Sequence, residues 1–351
     1  MCYNVAIMKK LRILSLLALT PLALLASCST ASPVGFSANW FRNVSTTIIP
    51  AGFEETLEYA VSFERSSTSL NGQFVMEYPE GGTYSVYFHD GSVTDDEGNE
   101  QKTYVYETTL TTTVKYTLGT ESITLPEVVT TRVEFLDTAH ELKPLSSHRE
   151  VHASAPFTTP TAPGAKLDAC YVKLDYVMDI SYNHEKEKAI YNLTYLTKDN
   201  EKDTTKNNIE NREIKIKCKG TFFDNEMMIP VLRAAELSSS MSLFTIDTTT
   251  QSLDSLTVKE GPTAVTLTQR VKYSTDTTPE EEEKTFNANE ISIAYKKQNS
   301  GGTHKFTIAQ RSTSSDSNKN RNVCLKYEYP VINSHGTMTY TLTQANFYYV
   351  S

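Results

Sequence analysis

Positive charge is in short supply in this chain, which sets 33 Lys and Arg against 42 Asp and Glu for a formal net charge of −9. Phosphate is held by cationic surfaces, so nucleic acid is excluded as a partner and broad docking on anionic headgroups is disfavoured. Cysteine is scarce too. The five that occur include no Cys-x-x-Cys pair, which argues against a zinc ribbon or a thioredoxin-type centre. There is no Gly-x-Ser-x-Gly elbow and no glycine-rich phosphate loop ahead of a helix, so no nucleophile or nucleotide site is signalled. No cofactor is called for. Tryptophan is almost missing, at one residue against 20 Tyr and 14 Phe, and with the many Thr and Val this tilts the chain toward strands. What remains is an ordinary globular composition, 39% hydrophobic and 21% charged over 351 residues, enough for one large β-domain or two smaller ones.

The apolar run Ile13 to Leu25 is too short to cross a bilayer as a helix, which takes about 20 residues. Lys9, Lys10 and Arg12 precede it, and Leu25-Ala26-Ser27-Cys28 follows. A charged start, a short apolar core and small residues before a cut describe a secretory signal. The last four residues resemble the bacterial lipobox, which implies cleavage before Cys28 and acylation of its thiol. Each buried CH₂ contributes about 0.8 kcal/mol, so two or three acyl chains hold firmly. The expectation is a signal peptide over 1–27 with Met8 as the natural start, a small polar tether over 28–44, and a β-rich body over 45–351. That body would sit at the cell membrane, lipid-anchored on the extracytoplasmic face.

Alternation of period two recurs along the body. Leu57, Tyr59, Val61 and Phe63 share one face, with Glu58, Ser62 and Glu64 opposite. Phe74-Met76-Tyr78 and Tyr84-Val86-Phe88 repeat the pattern about a turn at Pro79-Glu-Gly-Gly82. Tyr104, Tyr106, Leu110, Val114, Tyr116 and Leu118 form a longer row, continued by Val129, Val133 and Phe135. Further strands are expected around Tyr171, Ile190, Ile214, Val265, Ile291, Phe306, Val323 and Met338. Such patterning suits antiparallel strands with one packed face and one wet face. Helix is expected only over Asp224 to Leu237, where Asp224 caps a stripe of Met227, Met228, Val231, Leu232 and Ala235, with one more turn possible from Thr278-Pro279 ahead of four glutamates. The proline-rich 153–166 segment is expected to be a loop, either a domain break or a bridge between strands. Among the cysteines of the body, parity puts Cys170 and Cys218 on apolar faces and Cys324 on a polar one. Cys170 and Cys218 are the pair that could bridge, although buried free thiols are the simpler expectation.

The order of these elements resembles an uncharacterised family of bacterial exported proteins. The similarity rests on Pro50-Ala-Gly-Phe-Glu-Glu-Thr-Leu-Glu-Tyr-Ala-Val-Ser-Phe63 as first strand, on Leu142-Lys-Pro-Leu-Ser-Ser-His-Arg149 as a strand ending after a Leu-x-Pro step, and on Pro230-Val-Leu-Arg-Ala-Ala-Glu-Leu237 as a short helix. The resemblance covers residues 50 to 275 and implies a half-open barrel like that of lipoprotein carriers such as LolA, whose curved sheet holds acyl chains. It implies no activity, and residues 285–351 lie outside it.

Three constellations could carry chemistry. His148, Glu150 and His152 project from one strand face and would make the first half of a zinc site, with His140 or Glu141 as third ligand; an ordinary polar strand face is the simpler reading. Asp90 to Glu100 holds oxygen ligands enough for calcium without the ordered spacing of an EF-hand, and a solvated hairpin accounts for it; Glu280 to Glu283 is more acidic still, but consecutive carboxylates repel and usually face water. Tyr59, Phe63, Phe74, Tyr84, Phe88, Tyr104, Tyr106 and Tyr116 would line a concave sheet face, as a ligand groove or simply as core. The sequence therefore points to a mainly β protein, an antiparallel curved sheet or half-open barrel with one short helix. The function it favours is a non-enzymatic module that binds an apolar or amphiphilic ligand. An envelope interaction or scaffold protein is the alternative, and a metal-dependent hydrolase the remoter one.

Overall fold

Nearly every alternating stretch becomes a strand in the computed structural model. It describes residues 35–36, 52–66, 74–94, 98–138, 141–156, 166–218, 220–236, 241–248, 250–261, 264–274, 281–296, 303–310, 322–331 and 335–349. The signal segment, Cys28 and the tether up to 34 lie outside these. The first half of the chain contributes β1 (Gly35–Phe36), β2 (Phe53–Arg65), β3 (Phe74–Glu77), β4 (Gly82–Thr94), β5 (Glu100–Leu118), β6 (Glu121–Thr138), β7 (Glu141–Pro156), β8 (Tyr171–Asn183), β9 (Lys188–Tyr195) and β10 (Ile209–Lys215). The second half contributes α1 (Met228–Ala234), β11 (Ala235–Glu236), β12 (Met241–Asp247), β13 (Ser252–Glu260), β14 (Val265–Ser274), β15 (Glu281–Tyr295), β16 (His304–Ala309), β17 (Cys324–Pro330) and β18 (Gly336–Tyr349).

Sixteen of these strands form one sheet, ordered β10-β9-β8-β7-β6-β5-β4-β2-β18-β17-β16-β15-β13-β12, with β3 and β14 as side branches. All its named pairings are antiparallel except one. β14 pairs antiparallel with the first half of β15 and parallel with β18, through Lys272↔Gln344 to Ser274↔Asn346. β15, β16, β17 and β18 also pair in series, so β14 closes a five-stranded barrel. β2 and β4 to β10 run out from β18 as a broad wing, and β13 and β12 extend from β15 on the other side. The fold is thus mainly β and barrel-like, with one short helix.

The core follows from the alternation. On the wing, Tyr104, Tyr106 and Tyr116 of β5 face inward beside Val133 and Phe135 of β6 and Phe88 of β4, all fully buried. Burying such a side chain contributes about 1.5–3 kcal/mol. They belong to one continuous apolar cluster with α1 and with Phe286, Ile291, Phe306, Leu325 and Phe347 of the barrel. A second cluster joins Met178 and Ile180 of β8, Tyr191 of β9 and Ile214 of β10 to Ile246 of β12. The two ends of the long strand path therefore pack side chain to side chain.

α1 is buried on every side, as a helix in the middle of a core must be. Asp224 caps the segment as expected, accepting from the Glu226 N–H at 2.7 Å, but the first turn is 3-10 (Asn225–Met227) and Pro230 falls in the first α-turn. The helix stops at Ala234 rather than reaching Leu237, because Ala235 is extended and pairs with β1. Arg233, which looks solvent-facing in the sequence, is fully buried. Its guanidinium grips Glu55 of β2 with two bonds of 2.5 and 2.9 Å, and its Nε donates to the Asn322 carbonyl at 3.1 Å.

Several expectations are corrected. Phe74-Met76 and Tyr84-Phe88 are not two arms of a hairpin: β3 and β4 both pair with β5, one after the other along the same edge. The Pro79–Gly81 turn is a break in one long line. Gly81 makes it possible, with φ +65° and a position where a Cβ would sit 2.5 Å from the Val61 carbonyl. The Leu142-Lys-Pro step does not end a strand, for β7 runs through Pro144 to Pro156 with a register shift opposite Glu134 and Phe135. That also takes residues 153–156 out of the expected loop, and Pro156 pairs with Tyr171 of β8 on its far side. Glu281 to Glu283 open β15 instead of a helix, where β-pairing to Arg270, Val271 and Lys272 overrides the local signal. Thr278 and Pro279 lie outside the described residues. Cys324 is fully buried, because a register shift between Thr307 and Ile308 breaks the alternation that put it on the polar face. Cys170, Cys218 and Cys324 are all free thiols.

Candidate functional site

The imidazole ladder lies on the outer face of the wing. His148 of β7 pairs across to Asp179 of β8, and its Nδ1 sits 2.7 Å from that carboxylate. His152 Nε2 lies 2.9 Å from Glu150 and its Nδ1 3.2 Å from Asp175. Both nitrogens of His152 thus face carboxylates, which favours the charged ring and raises its pKa, chiefly through Glu150. A ring that donates at both ends has no lone pair for a metal. Among the described residues no group of three His, Cys, Asp or Glu side chains could hold a metal ion. His140 and the Glu141 side chain lie outside them. The ladder is a chain of half-exposed ion pairs, worth little each. At the other acidic stretch, β4 continues to Thr94, which pairs with Glu100, so the tip of the hairpin is shorter than the Asp90–Glu100 reading and its residues 95–97 are not described.

The aromatic row is placed on the inner face, as the alternation implies, and most of it is closed core. Phe88, Tyr104, Tyr106 and Phe135 form a ring-on-ring box with centroids 5.3–5.9 Å apart. Tyr59 is 1% exposed and donates its hydroxyl to the Cys324 carbonyl at 2.9 Å. Phe74 and Tyr116 stack on each other, and Tyr116 stacks on Tyr171. Phe63 packs on Tyr78. Of the eight, Tyr84 alone lines open space.

That space is a cavity of about 410 Å³ between the concave wing and the barrel. Its wing side comes from β4 to β8, with Tyr84, Leu110, Val129, Val151, Ala153 and Leu174. The barrel side is a tyrosine stack. Tyr340 of β18 meets Tyr84 edge-on at 5.2 Å and stacks on Tyr327 at 5.3 Å, and Tyr327 stacks on Phe306 at 4.3 Å. The 3-10 turn before α1 supplies Asn225 and Glu226.

Glu127, Arg149, Glu226 and His304 are the acidic and basic side chains that line this cavity. Glu127 of β6 is 5% exposed; burial pushes its pKa up, while the Ser154 N–H (2.9 Å), the Ser154 hydroxyl (2.8 Å) and Tyr78 donate to it. Arg149 of β7 is bound to Glu226 at 2.8 Å, and that carboxylate holds the guanidinium charged. His304 of β16 is driven by desolvation down to about 4 and is therefore neutral at pH 7, with Nδ1 2.9 Å from the Tyr327 hydroxyl. Beside this wall, Asp224 is 2% exposed and accepts from Tyr182; burial, then the Glu226 charge, push it up to about 6.

Sequence reasoning missed this polar set, although two members carried a signal. Glu127 shares parity with Val129, Val133 and Phe135, and Arg149 shares it with Val151, so each is a charge on an apolar face. Such a residue is either paired inside the fold or lines a cavity, and these two do both. Glu226, His304 and the tyrosines of β17 and β18 reach the site only through long-range pairing.

No protein-family model matches the chain, and no curated protein matches it. Among solved structures, it is similar to a beta-barrel-like protein of Domain of Unknown Function DUF1849 from Brucella abortus. The two are 11% identical over 86% of this chain and 100% of that one, with a TM-score of 0.38. No functional conclusion rests on a likeness at that level. No helix among the described residues is long and apolar enough to cross a membrane.

Proposed function

We propose that this chain is a lipid-anchored, extracytoplasmic binding module that holds an apolar or amphiphilic ligand between its wing and its barrel, and that it is not an enzyme. The observation that carries the reading is the cavity: about 410 Å³ walled mainly by aliphatic side chains and tyrosine rings, with threonines and a few charged groups between them. Ligand sites have this character, at about 300–1,000 Å³. The anchor rests on the lipobox ending at Cys28. The likeness to LolA-type carriers seen in the sequence favours the same use of a concave sheet, as analogy of shape.

The polar groups argue for holding rather than turnover. Glu127 is engaged by three donors, Arg149 by Glu226, and His304 is hydrogen-bonded to Tyr327.

Native mass spectrometry of the body purified without detergent tests the binding reading. The expected result is a co-purifying small molecule, or a rise in melting temperature on adding single-chain amphiphiles. Ligand at 100 times its Kd adds about 2.7 kcal/mol, a shift of several degrees. Repeated absence of both overturns it. For the anchor, Cys28→Ser and globomycin should each block processing and release the protein from membranes; unchanged partitioning refutes it.

A further inference from the structure

Resting on the reading above, we infer that the cavity takes a single-chain, uncharged amphiphile with an acceptor oxygen at its polar end, an amide, ester or alcohol, and discriminates against fatty-acid anions.

The charges of the wall carry this. Its one guanidinium, Arg149, is already neutralised by Glu226 at 2.8 Å. Its other carboxylate, Glu127, faces neutral donors only, Ser154 and Tyr78, and among the described residues no cation pairs with it. His304 adds no charge at neutral pH. With Arg149 already answered by Glu226, and Glu127 accepting from three neutral donors with no cation beside it, the wall offers an anionic headgroup no unmatched positive charge and a carboxylate to enter against. Across about 10 Å at an intermediate effective dielectric, that repulsion is on the order of a ten-fold loss in affinity.

An uncharged head still finds a donor. The Arg149 guanidinium carries five N–H groups, and Glu226 takes one through Nη1. The Arg149 side chain is 29% exposed, and it projects from the concave face, so its open surface is toward the cavity. An acceptor there gains a charge-assisted bond without separating the Arg149–Glu226 pair. Arg149 lies opposite Thr131, four residues along β6 from Glu127, a separation of about 13 Å. Between them the wall is Val129, Val151 and Leu110, a surface for hydrocarbon. The volume sits at the small end of ligand cavities, which fits one chain rather than the two of a phospholipid.

The test is titration calorimetry of the full body with three ligands of equal chain length: octanamide, octanoate and octylamine. Octanamide should bind at least ten-fold tighter than octanoate, and tighter than octylamine, whose ammonium has no acceptor for the Arg149 N–H groups and meets a like charge there. Glu127→Gln, which can still accept from Ser154, should narrow the gap between octanoate and octanamide several-fold. Arg149→Lys keeps a cation for Glu226 but loses the fork, and should weaken octanamide. Octanoate binding as well as octanamide, octylamine binding tightest, or insensitivity to both variants overturns the inference while leaving a binding cavity. Failure of all three ligands to bind overturns the binding reading itself.

Discussion

Glu55→Gln isolates the contribution of the buried ion pair that ties α1 to the sheet. Glu55 and Arg233 are both 0% exposed at the side chain, joined by two parallel bonds of 2.5 and 2.9 Å. Gln keeps the shape and one acceptor but removes the bidentate counter-charge from a guanidinium whose side chain has no exposed surface. Removing one partner of such a pair costs about 3–5 kcal/mol, since the desolvation of the survivor is no longer offset. Against a total stability of about 5–15 kcal/mol, that is a large share. Urea denaturation followed by far-ultraviolet circular dichroism should show a lower midpoint at an unchanged slope. A double change, Glu55→Leu with Arg233→Met, removes both charges and should cost clearly less than the sum of the single changes. A loss below about 1 kcal/mol for Glu55→Gln, as for an exposed pair, would falsify the argument that this contact is sealed from water.

Two groups near the cavity should oppose each other in acid. Asp224, raised to about 6, binds its proton more tightly folded than unfolded, so its contribution falls as pH rises from about 4 to 6; His304, lowered to about 4, gives stability that rises as pH climbs from about 4 to 6.5. His304→Gln should therefore leave a stability that falls between pH 4 and 6, and Asp224→Asn one that rises, measured by urea midpoints across pH; flat profiles in both variants contradict the assignment. Thiol titration with a chromogenic disulfide should label Cys218 alone in the native body, since Cys170 and Cys324 are fully buried and Cys324 is raised to about 12. Rapid labelling of three sites refutes that burial. Gly81→Ala should lower stability by about 1–3 kcal/mol, because φ is positive and the Val61 carbonyl occupies the Cβ position; a neutral result means the turn can rearrange.

Much of the wing could be read from the chain because its strands meet their neighbours in sequence. β5 to β9 form a meander, so local alternation decides both strand and face. β12 and β13 escaped notice for a physical reason: Thr245, Asp247 and Asp254 occupy buried positions and spoil the alternation. The closing of the barrel was equally hidden. It depends on three parallel pairs between β14 and β18, segments some 70 residues apart that carry no mark of each other.

At the cavity, the alternating aromatics share the face that holds it, but of the eight only Tyr84 lines it. Tyr59, Phe88, Tyr104, Tyr106 and Tyr116 are packed, while the open wall is built from Tyr84 with Tyr327, Tyr329 and Tyr340 from the far end of the chain. The better local signal was charge out of place. Glu55, Glu127 and Arg149 each interrupt an apolar face, and each has its partner inside the fold. Arg233 shows the limit of that signal, for its partner lies 178 positions away.

Ala153 is the position from which the central claim is most directly tested. It is a small inward side chain on β7 in the cavity wall, and Ala153→Trp puts an indole into the open volume. The account predicts a folded protein that melts near the wild-type temperature and no longer binds octanamide in calorimetry, nor carries a small molecule in native mass spectra. Undiminished binding in a folded Ala153→Trp protein would place the ligand elsewhere and contradict it.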